Sequence, residues 1–241
     1  MTISAILFDK DGTLLDYHRT WTPINLKAAL YAADGRQDLA QALLVAGGWE
    51  EASGRVRAGS VLAAGHTTEL AELWRRHGSG LPQAELVTGI DRMFAAGMAE
   101  AVPVTDLPSL FGALSPRGLA LGIASSDSAA AVTAFVEQFE LHEFLDFEAG
   151  YDSGHGVKPG PGMLQAFCRV VGHAPSKAAV VGDNLHDMAM AENGGAGLRI
   201  AVLTGTGTHA QLEPESDFCI DSIDGFDTFL VSIGALSGAA E

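Results

Sequence analysis

Basic residues are scarce in this chain: 14 lysines and arginines stand against 30 aspartates and glutamates, a formal net charge of −16. That balance leaves no basic footprint for nucleic acid, and an anionic membrane would repel the protein. Cysteine is nearly absent. Cys168 and Cys219 form no CxxC and no paired framework, so buried free thiols are expected rather than disulfides or a cysteine metal site. No stretch reaches the ~18 apolar residues of a membrane span. The first apolar run is shorter than the ~7–15 residues of a secretory core and has no basic leader. These absences predict a cytoplasmic protein, monomer or homodimer, without repeats or low-complexity tracts. What remains is 47 % hydrophobic with mean hydropathy +0.19, enough to bury a sizeable core. At ~150 residues per domain, 241 residues make one to two domains.

The chemistry lies where apolar runs stop. Ile3 to Phe8 ends at Asp9-Lys10-Asp11-Gly12-Thr13, two carboxylates one residue apart. On a strand, a side-chain period of 2 aims both into one space and turns Lys10 away. Like charges so close split their pKa values or recruit a cation. Leu119 to Ala124 ends at Ser125-Ser126-Asp127, a hydroxyl followed by a helix N-cap, a combination that suits an anion. Lys158 sits in the loop Gly156-Val157-Lys158-Pro159-Gly160-Pro161, before the helical pattern Met163, Leu164, Phe167, Val170 and Val171. Ala178 to Gly182 leads to Asp183-Asn184-Leu185-His186-Asp187, whose acids would share a face of a helix. Open parallel sheets bind ligands at the carboxyl ends of their strands, so these four ends are predicted to converge on one site.

In these four motifs, taken in order from Ile3 to about Asp187, the chain resembles the haloacid dehalogenase-like hydrolase superfamily, in its phosphoglycolate phosphatase-like branch. The resemblance implies an α/β fold: a Rossmann-like parallel sheet core with helices on both faces, plus an inserted all-helical cap domain. It implies a phosphatase acting on a small phosphorylated metabolite, with Mg2+ as cofactor. Asp9 would be the nucleophile and form an aspartyl phosphate, and Asp11 the general acid and then base. The ion would be held by the carboxylates of Asp9 and Asp183 and the backbone carbonyl of Asp11, with Asp187 nearby. Ser125 would bond the phosphoryl oxygens, with Ser126 beside it, and Lys158 would neutralise them. Lys10 departs from the apolar residue usual between the two acids. A phosphomutase of the β-phosphoglucomutase type shares all four motifs and remains an alternative.

From about Asp16 to Gly97 the spacing is helical, too long for an ordinary crossover. Domain limits of 16–97 for the cap and of 1–15 with 98–241 for the core follow. Tyr17 to Thr22 is expected as the outgoing hinge and Gly97 to Pro103 as the return, while Pro23, Gly35, Gly47-Gly48 and Gly78-Ser79-Gly80 punctuate the helices. Arg55 and Arg57 could meet a second anionic group on the substrate, or be solvated charges. Trp21, Trp49 and Trp74 are expected in the cap core, and His66, His155 and His186 as structural residues. Two non-enzymatic readings compete: a phospho-receiver domain, and a nucleotide-binding module built on Gly205-Thr206-Gly207-Thr208-His209-Ala210, which matches a GxGxxA fingerprint. Pro214 and the short distance to the next strand weigh against the second.

Overall fold

The structure, a computed structural model, describes residues 2–236. The opening run of apolar residues forms β1 (Ala5–Phe8), every residue of it inaccessible. Such continuous burial belongs to a strand covered on both faces. There follow α1 (Tyr17–Ala32), α2 (Gln37–Gly47), β2 (Trp49–Glu50), β3 (Arg55–Val56), α3 (Val61–Ala64), α4 (Thr67–Arg76) and α5 (Gln83–Gly97). Next come α6 (Leu107–Leu114), β4 (Ala120–Ala124), α7 (Ala129–Gln138), β5 (Phe147–Ala149) and α8 (Gly162–Val171). The chain continues through β6 (Ala178–Gly182), α9 (Leu185–Gly194), β7 (Leu198–Val202), α10 (His209–Leu212), β8 (Phe218–Ile220) and α11 (Phe226–Ser232).

Six strands pair in the order β5-β4-β1-β6-β7-β8, all parallel. This is the doubly wound arrangement, and its order reverses between β1 and β6. Alternation along the strands feeds two cores. Ile6, Phe8, Ala179 and Val181 face one cluster, while Ala5, Leu7, Ala178 and Val180 face another with Met163, Leu164 and Phe167 of α8. The first cluster runs on into the helices between β1 and β4, through Trp21, Ile24, Phe94 and Ile90. Those helices therefore share buried apolar surface with the sheet.

The connections differ in detail from the sequence reading. Tyr17 to Thr22 is no hinge but the start of α1, capped by Asp16, whose Oδ1 accepts from the Arg19 N–H at 3.0 Å. The crossings are Leu14 to Asp16 outward and Val102 to Val104 on return, and they bond each other: Asp16 N–H to Val102 O at 2.9 Å, Val104 N–H to Leu14 O at 3.0 Å. Pro23 lies inside α1. Burial of Trp21, Ile24, Ala28 and Ala29 outweighs the hydrogen bond a proline cannot make. The inserted helices are also interrupted by the hairpin of β2 and β3. No described helix is long and apolar enough to cross a membrane.

Candidate active site

Register places the strand ends level. Phe8 pairs with Ile123 on one side and Val181 on the other, so the residues after all three strands leave at one edge, at the switch point. There Lys158 Nζ donates to Asp9 Oδ1 and Asp187 Oδ1, at 2.6 Å each, with all three side chains buried. Asp183 joins them: one carboxylate oxygen each from Asp9, Asp183 and Asp187 lies within 4.8 Å of the others. The two later acids do not share a helix face, as their spacing suggested. Asp183 precedes α9, whose N-cap is Asn184. Asp187 enters as the third residue of a capping box, accepting the Asn184 N–H through Oδ2 at 3.1 Å. Its Oδ1 is thereby free for Lys158.

Burial and mutual repulsion raise the acids. Desolvation, opposed by Lys158 and reinforced by Asp187 and Asp11, pushes Asp9 up to about 7. Asp183 is raised well above the carboxylate range by burial and then by Asp9 and Asp187. Burial opposes the charge on Lys158, but Asp187 and Asp9 outweigh it and raise the ammonium. Three carboxylates against one ammonium leave the pocket short of positive charge. Hard oxygens in that number fit magnesium.

Asp183 is also gripped from behind. Its Oδ2 accepts the Thr206 N–H at 2.7 Å, and Thr204 Oγ1 donates to Gly12 O at 2.6 Å. A Cβ on Gly205 would fall 1.9 Å from Asp183 Oδ2, and one on Gly12, at φ +87°, 2.7 Å from Asp183 Cγ. The GxGxxA stretch is thus a carboxylate cradle. The α10 that follows has four residues, too few to carry a dinucleotide phosphate on its N-terminus.

Lys10 is the largest surprise. It does not turn away: fully buried, its ammonium donates to Asp11 Oδ1 and, at 3.2 Å, to Asp127 Oδ2, lying 5.2 Å from the Trp21 ring centre. The Asp9 N–H still bonds Val181 O at 2.8 Å, but regular pairing ends there, and the Lys10 side chain takes the side where the Asp11 and Asp127 carboxylates lie. Trp21 Nε1 donates to Asp11 Oδ1 at 2.8 Å and Ser125 Oγ to Asp11 Oδ2 at 3.1 Å. Ser125 also accepts the Asp127 N–H at 3.0 Å. The N-cap of α7 is Ser128, leaving Asp127 to pair with Lys10. Burial raises Asp127 to about 6 against the pull of Lys10.

A cavity of about 60 Å3 opens on Asp9, Asp11, Ser126, Lys158, Asp183 and Asp187. Its opposite wall is Tyr17, Trp21, Asn25, Phe94 and the stretch Val61 to Thr67. Arg55 and Arg57, in contrast, stand exposed on the β2–β3 hairpin, outside this lining, because Val56 between them takes the buried side of the strand. His66 and His186, expected as structural residues, line the cavity; His186 Nδ1 lies 3.3 Å from Ala64 O and His66 stacks on Tyr151. Trp74 is inaccessible among the inserted helices and donates to Leu43 O at 2.8 Å, while Trp21, also buried in the core cluster, lines the cavity as well and donates to Asp11. Cys168 is buried and Cys219 half-buried.

A doubly wound parallel sheet with acids and a lysine at its switch point, roofed by inserted helices, defines an α/β protein with a charged ligand site at the carboxyl edge. Residues 3–195 match the model of the haloacid dehalogenase-like hydrolases, and the chain belongs to that family of enzymes. The pyrophosphatase PpaX of Bacillus cereus is 32 % identical over 112 residues, 46 % of this chain and 51 % of that protein, so the chain spans about half the length of the curated relatives it matches. Among solved structures, CbbY from Rhodobacter sphaeroides in complex with phosphate superposes with a TM-score of 0.69 at 22 % identity, over 92 % of this chain and 95 % of that one. A predicted phosphoglycolate phosphatase from Haemophilus somnus gives 0.68 at 17 % identity, over 95 % and 98 %. At such identities the likeness is one of fold.

Proposed function

We propose that this protein is a magnesium-dependent phosphatase that hydrolyses a small phosphomonoester, of the phosphoglycolate type, through an aspartyl phosphate on Asp9. The observation that carries the reading is the contact of Lys158 with both Asp9 and Asp187 beside Asp183. A nucleophile, a fixed cation and a cluster of hard oxygens then stand where phosphoryl transfer needs positioning and charge neutralisation. Asp9 Oδ attacks phosphorus as the bond to the leaving oxygen breaks, and Asp11 gives that oxygen a proton. Asp11 then takes a proton from the water that opens the aspartyl phosphate, restoring both acids and releasing phosphate. Ser126, which lines the cavity, bonds phosphoryl oxygens, while Ser125, expected in that role, is inaccessible behind it with its hydroxyl on Asp11 and the Asp127 N–H. Magnesium, when bound, would be held by Asp9, Asp183, Asp187 and the Asp11 carbonyl and would neutralise phosphoryl charge.

In this reading residues 16–97 are a cap and residues 1–15 with 98–241 the core, and the cavity between them selects the substrate. Its size, about 60 Å3 against the ~300–1,000 Å3 of drug-sized pockets, supports a small metabolite. The test is repeated release of phosphate from p-nitrophenyl phosphate and a panel of phosphorylated metabolites in magnesium. Activity surviving excess chelator overturns the metal assignment, and a single turnover overturns the enzyme reading in favour of a receiver.

A further inference from the structure

Asp11 is held asymmetrically. Its Oδ1 receives two donors that always donate, the Lys10 ammonium and the Trp21 indole N–H at 2.8 Å. Among the described residues its Oδ2 meets only the Ser125 hydroxyl, at 3.1 Å. A hydroxyl can rotate and accept as readily as it donates. One oxygen is therefore anchored and the other left able to carry a proton. Lys10 is anchored in turn by Asp127 Oδ2 at 3.2 Å, whose Oδ1 accepts the Ser128 N–H at 2.8 Å, at the start of α7. Met98 Sδ, 3.6 Å from the ammonium, closes the pocket.

From this geometry we infer that Lys10 is a positioning residue that, tied to Asp127, locks Asp11 Oδ1 so that Oδ2 carries the proton given to the leaving group. The role rests on the phosphatase reading above, in which Asp11 is the general acid. Lys10 touches neither phosphorus nor nucleophile. Its effect reaches the reaction through the aim of Asp11, so it scales with how much the departing oxygen needs a proton. General acid–base assistance is typically ~10²–10⁴ in rate. A strongly stabilised leaving group needs little of it, a poor one nearly all.

The experiment compares Lys10→Met with wild type on aryl phosphates running from 2,4-dinitrophenyl to phenyl phosphate, in saturating magnesium. kcat/KM reports the steps through departure of the aryl oxide. The expected result is a loss below about threefold on the dinitrophenyl ester and on the order of 10² on the phenyl ester, so that dependence on leaving-group basicity steepens. Removing a buried ammonium strands Asp127, so Lys10→Met with Asp127→Asn is the companion that leaves no lone charge if the single variant fails to fold. It should show the same steepening. Equal losses along the series, or none, overturn the inference while leaving the phosphatase reading in place. No hydrolysis of any ester by wild type overturns that reading and this inference with it.

Discussion

Lys158 Nζ donates to Asp187 Oδ1 at 2.6 Å, while the other oxygen of that carboxylate caps α9. One acid thus joins the lysine loop to the helix after β6. A second bond donated by the Lys158 ammonium, to Asp9 Oδ1 and also 2.6 Å, extends the chain of contacts to the end of β1.

Replacing Lys158 by alanine should therefore cost on the order of 10²–10³ in turnover, as for loss of one preorganised donor. It should also lower the melting temperature of the metal-free protein by stranding buried carboxylates. Steady-state kinetics and thermal melts by circular dichroism check both. A change below threefold in turnover would make Lys158 dispensable.

Asp9→Asn should fold yet lose turnover, because an amide is a poor nucleophile. Its stability should depend on pH in a defined sense. Asp9 is raised from 3.8 to about 7 in the folded protein, so the native state binds this proton more tightly than the unfolded chain. The contribution is present below about pH 4 and is lost as pH rises towards 7. In metal-free buffer the melting temperature of Asp9→Asn should accordingly climb relative to wild type between those limits. A difference that is flat or falls with pH contradicts it.

Magnesium should raise the melting temperature of wild type, by about 2.7 kcal/mol of stability at 100 times its dissociation constant. Gly205→Ala should weaken that response, since its Cβ would fall 1.9 Å from Asp183 Oδ2 and drive the carboxylate from its cradle. Displacing such a support typically costs 10–100-fold in metal affinity. Calorimetric titration with the metal alone measures it, and an unchanged affinity would remove Asp183 from the ion's ligands.

Arg55→Ala and Arg57→Ala should each change kcat/KM by less than about threefold on every phosphorylated metabolite, because both side chains are exposed and outside the cavity. A tenfold loss confined to substrates with a second anion would show that the hairpin folds over the site during turnover.

Much of the site was legible in the order of residues because each signal is local. An apolar run followed by Asp9, by Ser125 or by Asp183 reads as a strand end without knowledge of its neighbours, and parallel topology brings such ends together. Less could be read where a side chain's direction depends on what lies across from it. The spacing of Asp183 and Asp187 suggested a helix face, yet a capping box brings them together. Arg55 and Arg57 read equally as anion binders or as solvated charges, because charge carries no sign of which side of a hairpin it will occupy. His186 stands inside the fourth motif without a metal-ligand spacing of its own, and His66 enters the cavity because the helices between β1 and β4 fold over the sheet.

The sequence by itself determined the fold class, the family and the four groups of acids, hydroxyl and lysine, since hydrophobic period and turn chemistry are written within a few residues. Only the tertiary structure decided that Lys10 folds back onto Asp11 and Asp127 and that Trp21 joins them. The contact between Lys10 and Asp127 spans more than a hundred residues, and even that between the neighbours Lys10 and Asp11 depends on how the chain turns after β1. They form because a buried ammonium must find carboxylates once packing has removed its water.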